Sequence, residues 1–518
     1  MENKDCVSAL LALDGPATAL TLVSGSMKTC SWSYAELQRQ RCYVEQVLVA
    51  QGLCRGDRLL VSTTNNPHFF AILLAAIALE LCLLPVHPDF SQQQLQALLL
   101  SQTPRLVIVD QLPNPSAYDQ LTLLQVHESA VHWLQPLGGG VAPARLFAAD
   151  NVPRVVDPPL LLFHSSGSTG QPKGMRFTRS MLNNYLGQLH ELYEAFPDQG
   201  RQDKASDRVN VLPVTHFGGL SFCLLALLQG RSLYLLRKTD ASQHLALLRQ
   251  RRCQLLLLVP ALLQELLATD AKAALPDLRH CLAMGESITQ TQLQLLSERL
   301  GVRVHNAYGM SECLTGIYNR ADESQVPMGS CGRLHFGEAR LLAADGSEHG
   351  NEGELCVRNI TTTPCYTDES LNRSKYLQGW YHTGDWFRRD AGGHYFFVGR
   401  VDLMCVINGR NVYPQEVENI LKEHPAIRVC VVAPIKLSDG RLRLAAAVEL
   451  AEAASMSASE LVDFYLERGA VYATPAWIRF VTSLPHNGGD KPDRTSCRRS
   501  LQQDYDQSIL SLSAGEKA

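Results

Sequence analysis

Ten residues, Ser165 to Gly174 (SSGSTGQPKG), concentrate chemistry-bearing groups, and nine of the ten are Ser, Thr, Gly, Pro or Lys. Gly167, Gly170 and Gly174 open backbone conformations closed to other residues. Consecutive N–H groups can then face one concavity and hold an anion. Ser165, Ser166, Ser168 and Thr169 add hydroxyl donors, and Lys173 adds a positive charge. The combination is a phosphate cradle. It is not a Walker loop, in which Ser or Thr follows the lysine, because Gly174 follows Lys173; nor does it hold a G-x-G-x-x-G fingerprint. The apolar run Leu160 to Phe163 reads as a buried strand that delivers the loop.

Further stretches carry groups suited to the same task. Tyr308 to Glu312 (YGMSE) sets an aromatic ring, a glycine, a hydroxyl and a carboxylate within five residues after a strand. The ring can stack on a base, the hydroxyl can bond a phosphate, and Glu312 can hold Mg2+ through oxygen. Gly379 to Asp385 (GWYHTGD) reads as a glycine-bounded aromatic turn ending in an acid. A carboxylate can accept two hydrogen bonds in a fork. Leu484 to Arg494 (LPHNGGDKPDR) offers Lys491 in a polar loop, and Leu212 to Gly219 (LPVTHFGG) offers His216.

Taken in order, these stretches resemble the motifs of adenylate-forming enzymes: acyl-CoA synthetases, aryl and fatty-acyl ligases, luciferases and the adenylation domains of peptide synthetases. The resemblance covers nearly the whole chain. SSGSTGQPKG is similar to the family's signature loop, which implies that Ser165, Ser166, Gly167, Ser168, Thr169, Gly170 and Lys173 bind the phosphates of ATP. YGMSE resembles Y-G-x-[TS]-E, which implies Tyr308 on adenine, Ser311 at the α-phosphate and Glu312 on Mg2+. Gly285-Glu286-Ser287 resembles the G-E element whose backbone lies beside adenine. The T-G-D match gives Asp385 both ribose hydroxyls. Gly399-Arg400-Val401-Asp402 resembles the G-R-x-D hinge, with Arg400 on ribose or phosphate and Asp402 absorbing a rotation between domains.

Gly409 to Glu418 (GRNVYPQEVE) matches G-x-N-x-Y-P-x-E-[VI]-E, a version closer to acyl-CoA synthetases and fatty-acyl ligases than to amino-acid domains. It implies a thiol tunnel near Gly409. LPHNGGDKPDR resembles L-P-x-T-x-x-G-K-x-D-R, so Lys491 falls on the catalytic lysine. A lysine there can stabilise the negative charge that gathers when a carboxylate attacks the α-phosphate. The departures are Asp490 for Gly, Asn487 for Thr and Pro492 for an apolar residue. An acid beside the lysine keeps open a nucleotide-binding homologue with impaired turnover. LPVTHFGG resembles P-x-x-H-x-x-G, which puts His216 in the catalytic set at the border of the acyl pocket. Amino-acid-activating domains place an Asp near here, and none lies between Val209 and Phe222. That favours an acid without an α-amino group, with a stand-alone amino-acid-activating enzyme as the alternative.

Size and composition frame these expectations. At 518 residues the chain exceeds one core, and 46% hydrophobic with 19% charged residues is ordinary for a soluble globular protein. A net charge of -4 gives no electrostatic case for nucleic acid or an anionic membrane. The fifteen cysteines are scattered, with no C-x-x-C pair and no Cys/His cluster of zinc spacing. No secretory signal opens the chain. Reduced thiols and a cytoplasmic location are the natural reading. Cys313 and Cys405, beside motifs, read as buried small apolar residues. Phe69 to Val86 imitates a membrane span, but Asn66-Pro67 starts a helix, Glu80 interrupts the run and Pro85 sits near its end. It reads as a buried helix over Pro67 to Leu79 and a strand over Leu83 to Val86, with no membrane span.

The elements that must position these groups alternate between helical and strand periods, which predicts an α/β architecture. Helices are expected at Ser33–Gln51, Ser91–Ser101, Ser180–Glu194 and Gln290–Leu300, and strands at Arg58–Ser62, Leu106–Val109, Val209–Leu212, Ser232–Leu236, Leu255–Leu263 and Val302–Asn306. From Gly329 to Val398 the chain turns strand-rich, and beyond Gly399 its texture changes. The expectation is a large N-terminal domain of β-sheets layered with helices over 1–398, which binds ATP and acid. A hinge over 399–402 joins it to a small α+β C-terminal lid domain over 403–518, whose last residues from Ser508 look frayed. The resemblance implies an AMP-forming acid–thiol ligase. It would use ATP and Mg2+ to make an acyl-adenylate from a carboxylic acid, releasing pyrophosphate. The acyl group would then pass to coenzyme A or to the phosphopantetheine of an acyl or peptidyl carrier protein.

Overall fold

The computed structural model describes residues 5–23, 29–90, 92–110, 123–126, 134–136, 157–165, 173–196, 206–236, 241–258, 275, 277–284, 290–323, 326–327, 329–348, 350–452, 454–486 and 492–515. Helices and strands alternate in an α/β architecture. A seven-stranded sheet runs in the order Leu134–Pro136, Leu123–Val126, Leu106–Val109, Arg58–Ser62, Cys82–Val86, Pro159–Ser165, Lys173–Thr178. The five strands from Leu123–Val126 to Pro159–Ser165 are parallel, and the outermost two pair antiparallel. The central strands are nearly pure Leu, Ile and Val because a parallel sheet is covered on both faces. A smaller sheet orders Arg208–Asn210, Leu233–Leu236, Thr18–Val23 and Thr29–Ser33.

Helix Pro67–Ala78 shows why the apolar run imitates a membrane span. Asn66 caps it by accepting from the N–H of Phe69, Pro67 occupies its first turn, and every residue from Pro67 to Ile77 is buried. A helix apolar all round belongs to an interior. The strand Cys82–Val86 follows at once. Among the described residues no helix is long and apolar enough to cross a membrane.

The third sheet has ten strands and carries most of the motifs. Its order is Leu255–Leu258, His280–Ala283, Arg303–Met310, Cys313–Tyr318, Gly332–Leu334, His394–Arg400, Trp380–Arg389, Glu352–Arg358, Glu338–Leu342, with Tyr376–Leu377 added on Trp380–Arg389. Strands Arg303–Met310 and Trp380–Arg389 lie four steps apart in that order. At about 4.8 Å per step, a flat sheet would separate them by roughly 19 Å. Yet the Tyr308 and Phe387 rings have centroids 4.7 Å apart. The sheet therefore curls on itself and brings the two motif strands together.

Several expectations need correction. Tyr308 does not follow the strand but lies within it. The strand continues to Met310, pairs back through Cys313, and leaves Ser311 and Glu312 as the two-residue hairpin turn. GWYHTGD is likewise strand rather than turn from Trp380 onward, with an irregularity opposite Glu354 and Cys356. Between the phosphate loop and the helix expected over Ser180–Glu194 stands a strand the sequence reading did not foresee, Lys173–Thr178, and Thr178 caps the helix, which runs Arg179–Glu194. Of the tail expected to be frayed from Ser508, residues 508–515 continue helix Arg494–Gly515, and 516–518 lie outside the described residues. Ser91, the first residue of the expected helix Ser91–Ser101, and the part of the expected strand Leu255–Leu263 beyond Leu258 lie outside the described residues.

Apolar side chains from Cys405 to Tyr505 gather in two clusters of their own, and those of the preceding chain stop at Phe397. The later clusters pack around strands Ile427–Lys436, Leu442–Leu450 and Trp477–Val481 with helices Pro414–Leu421, Ala458–Leu466 and Arg494–Gly515. Gly399 and Trp386 meet Tyr413 at the junction: a Cβ on Gly399 would lie 2.7 Å from that of Tyr413, and the Trp386 and Tyr413 rings stack at 5.8 Å.

Candidate active site

The curled sheet assembles a polar cluster around Asp385. Asp385 and Arg400 are register partners on neighbouring antiparallel strands. Arg400 Nη1 lies 3.2 Å from Asp385 Oδ1, and its Nε lies 3.1 Å from Asp402 Oδ1. The Tyr308 hydroxyl donates to Asp385 Oδ2 at 2.5 Å. Thr383 orders the approach: its hydroxyl donates to the Leu355 carbonyl at 2.8 Å and accepts the Asp385 N–H at 3.1 Å. Asp385 is 6% exposed. Its Oδ1 is buried and, among the described residues, accepts no aligned hydrogen bond. A buried acceptor left in this state is costly unless a ligand supplies the donor. Burial pushes the Asp385 carboxyl above its ordinary range, against the opposing pull of Arg400 and Tyr308.

A second cluster surrounds Glu312. Tyr366 donates to Glu312 Oε1 at 2.8 Å, and its oxygen lies 3.1 Å from that of Tyr381. Tyr366 is held by the strand that leaves the phosphate loop. Met175 and Tyr366 form an antiparallel bridge, the Arg176 N–H donates to the Cys365 carbonyl at 2.7 Å, and the Thr367 N–H donates to the Gly174 carbonyl at 2.9 Å. Gly174 is required by this approach, since a Cβ there would stand 2.5 Å from Thr367 Oγ1. Ser165 and Lys173, the two ends of the loop, are register partners. The loop ends, Glu312 and the Asp385 cluster are thus tied into one region by strands Lys173–Thr178, Cys313–Tyr318 and Trp380–Arg389.

Glu312 is half-exposed at a hairpin turn, with one oxygen already oriented by Tyr366. A carboxylate oxygen so placed is a hard donor that fits Mg2+. Lys173 is half-buried. Burial lowers the pKa of His164, on the incoming strand, to about 4, so it is neutral at pH 7.

His216 lies at the N-terminal end of helix Phe217–Leu228 and is exposed. Its loop is fixed by Asn65, which accepts from the Val214 N–H at 2.9 Å and donates to the Leu212 carbonyl at 3.0 Å. Gly409 has φ +76 in the exposed turn between Cys405–Ile407 and Arg410–Val412. Arg494 of the DKPDR stretch pairs with buried Glu418 of helix Pro414–Leu421, its Nη1 2.6 Å from Oε1. His486 bridges Pro492, and the Asp493 N–H donates to the Pro485 carbonyl at 2.7 Å, so the segment containing Lys491 is closed at its base. Lys491 itself lies outside the described residues, as do Ser166, Gly167, Ser168, Thr169, Gly170, Gly285, Glu286 and Ser287.

Three residues of the site escaped the sequence reading. Tyr366 and Tyr381 orient Glu312, and Glu354 accepts the Gly384 N–H at 2.9 Å beside Asp385. Strand alternation in GELCV was a usable signal for Glu354 and its face. Nothing in the sequence joins Tyr366 to Glu312.

Comparison with known proteins fits this geometry. Residues 14–367 match a family described as AMP-binding enzyme. The chain is similar to an indoleacetate–CoA ligase of Aromatoleum aromaticum, 29% identical, with 90% of this chain and 92% of that protein covered. It is similar to a crotonobetaine/carnitine–CoA ligase of Escherichia coli, 24% identical, with 92% and 95% covered. Its fold superposes on the o-succinylbenzoate coenzyme A synthetase MenE of Bacillus subtilis, solved with ATP and magnesium ion. The TM-score is 0.78 at 22% identity, covering 96% of this chain and 99% of that one.

Proposed function

This chain belongs to the AMP-binding enzyme family, and we propose that it condenses a carboxylic acid with ATP to an acyl-adenylate and then passes the acyl group to the thiol of coenzyme A. It is an AMP-forming acid–thiol ligase, as its relatives are. The observation that carries the adenylate step is Asp385: a buried carboxylate held by Tyr308 and Arg400 whose Oδ1, ion-paired with Arg400, accepts no aligned hydrogen bond among the described residues. Vicinal hydroxyls of a ribose supply aligned donors.

In this reading Ser165 to Lys173 hold the triphosphate, Tyr308 packs on the base, and Ser311 meets the α-phosphate. Glu312 would hold Mg2+, which offsets phosphate charge when bound. The carboxylate oxygen attacks the α-phosphorus and pyrophosphate leaves. Lys491 stabilises the charge that accumulates there. The thiolate then attacks the acyl carbon, and AMP leaves. His216 borders the acyl pocket. Residues 1–398 form the body, 399–402 the hinge around Asp402, and 403–518 a lid that presents Lys491 for the first half-reaction and a thiol channel near Gly409 for the second. Separate apolar clusters on the two sides of the junction support that division. The fifteen cysteines form no disulfide among the described residues, which supports a reducing, cytoplasmic setting.

The absence of Asp between Val209 and Phe222 supports an acid without an α-amino group. The test is pyrophosphate release from ATP with a panel of aromatic, aliphatic and quaternary-ammonium acids, with free amino acids alongside. Thioester formation is then read with coenzyme A and with a phosphopantetheinylated carrier protein. An aromatic or aliphatic acid should release pyrophosphate and yield a CoA thioester. Lys491→Ala should slow release by about two to three orders of magnitude. ATP binding with no release for any acid would instead favour a homologue impaired by Asp490. Release with amino acids alone, or transfer only to the carrier protein, would overturn the substrate or acceptor assignment.

A further inference from the structure

Strands Glu352–Arg358 and Trp380–Arg389 set three metal-ligating side chains on one face. Glu354 and Cys356 are two residues apart, so they point to the same side. His382 is the register partner of Cys356. His382 Nδ1 lies 3.4 Å from Cys356 Sγ and 3.2 Å from Glu354 Oε2. All three ligand atoms lie within 4.8 Å of one another. One ring nitrogen faces a sulfur and an oxygen together but carries at most one hydrogen to give them. A tetrahedral ion with bonds of about 2.0–2.3 Å spaces its ligands by roughly 3.3–3.7 Å, and both short separations are close to that range.

We propose that Glu354, Cys356 and His382 form a binding site for a divalent cation of the zinc class, with Oε2, Sγ and Nδ1 as ligands and solvent in the fourth position. Thiolate and imidazole prefer zinc-class ions to Mg2+ or Ca2+. The surroundings sharpen that preference. Arg340 is the register partner of Cys356 on the other side and stacks over Trp380 at 4.3 Å. Arg340 and Lys375 both act on the Cys356 thiol as positive charges. They repel an ion held by charge alone and leave ions that gain from a metal–thiolate bond. On binding, the Cys356 thiol proton goes to solvent and nothing is oxidised. Cys356 is buried, whereas the His382 and Glu354 side chains are 15% and 22% exposed, which gives an ion a route in.

The second carboxylate oxygen gives the site a consequence. Glu354 Oε1 accepts the N–H of Gly384, the residue before Asp385. An ion on Oε2 braces that contact. This consequence rests on the nucleotide reading of Asp385, whereas the metal site stands without it.

The test is titration of chelator-stripped, chelator-free protein with Co2+, a coloured stand-in for zinc. It is run in a background where the exposed Cys30, Cys42 and Cys54 are changed to Ser. A cobalt–thiolate charge-transfer band should grow to saturation at one ion per chain and be abolished by Zn2+ but not by Mg2+. Cys356→Ser and His382→Ala should each lose the band, and Glu354→Gln should weaken binding by about 10-fold or more. His382 is less deeply buried than Cys356, so its variant keeps the test valid if the Cys356 variant misfolds, and circular dichroism checks both. No band, a band that survives His382→Ala in folded protein, or displacement by Mg2+ would overturn the site. Loss of nucleotide binding by Asp385→Asn with the cobalt band intact confirms that the two readings are separable; a cobalt band lost with Asp385→Asn in folded protein overturns the ligand assignment.

Discussion

The Tyr308 hydroxyl reaches Asp385 Oδ2 at 2.5 Å although the two strands stand four positions apart in the sheet order. Curling of the sheet makes this contact, and the contact aims the carboxylate. Tyr308→Phe keeps the ring and its packing on Phe387 while removing one donor to a charged acceptor. Such a hydrogen bond contributes roughly 1.5–3 kcal/mol. ATP affinity by calorimetry should fall about 10- to 100-fold. An unchanged affinity would show that the carboxylate is aimed by Arg400 alone.

Asp385 should also set an acid limb. Its carboxyl sits above the ordinary range because of burial. A raised folded pKa contributes stability below the unfolded value, and that contribution is lost as pH rises through the folded value. At neutral pH the ionised Asp385 is therefore a cost to the empty protein. Asp385→Asn should raise the neutral-pH melting temperature of the apoprotein while weakening ATP binding. In the parent, ATP affinity should begin to fall at a pH above the usual carboxylate range as acid is added. The Asn variant should lack that limb. A lower melting temperature together with an unchanged acid limb would refute the assignment.

Tyr366 is expected to position Glu312. Tyr366→Phe leaves Glu312 Oε1 without its donor. Removing such a supporting partner commonly costs 10- to 100-fold in metal affinity. Manganese binding in the presence of ATP, followed by electron paramagnetic resonance, should weaken by about that factor. ATP affinity without metal should hold. Equal losses in both would indicate general loosening of the hairpin instead.

The pair Arg494–Glu418 should govern the stability of the C-terminal segment. The Glu418 side chain is 2% exposed, accepts from Arg494 and takes the Val432 N–H at 2.7 Å. Breaking one side of a buried ion pair costs about 3–5 kcal/mol. Arg494→Ala should lower the denaturant midpoint of this segment accordingly. A loss below about 1 kcal/mol would mean that water replaces the guanidinium.

Asp402→Pro tests the hinge. Asp402 lies in an exposed turn of Val401–Leu403 and pairs with Arg400. Proline fixes φ near -65° or so. Asp402→Ala removes the same carboxylate and leaves φ free. The proline variant should retain pyrophosphate exchange and lose thioester formation, and the alanine variant should keep the ratio of the two. Parallel losses in both variants would assign the effect to the ion pair.

Local signals were legible where one element decided them. Asn66-Pro67 announced a helix start, and the Leu-rich runs announced buried strands, because capping and burial act within a few residues. The α/β class followed from the alternation of those signals. Long-range effects were not legible. The curl that joins Tyr308 to Asp385, the Tyr366 contact with Glu312 and the Glu354–Cys356–His382 group depend on strand pairings between distant residues. The motif around Tyr308 was placed after a strand, and the pairing of Met310 with Cys313 carries the strand through it. Helix Arg494–Gly515 went unseen because its cap, Asp493, lies inside a motif read for chemistry; Asp493 Oδ1 accepts the N–H groups of Thr495 and Ser496.

The stack of Trp386 on Tyr413 ends on a practical point. An indole on the last strands of the large sheet lies against a phenol at the start of helix Pro414–Leu421, with the indole N–H on Glu352 at 2.8 Å. Any rotation about the intervening residues must unstack the pair and change the polarity around the indole. The protein therefore contains its own optical reporter. With the other tryptophans changed to Phe, the emission of Trp386 would read out rotation in real time, without an attached dye.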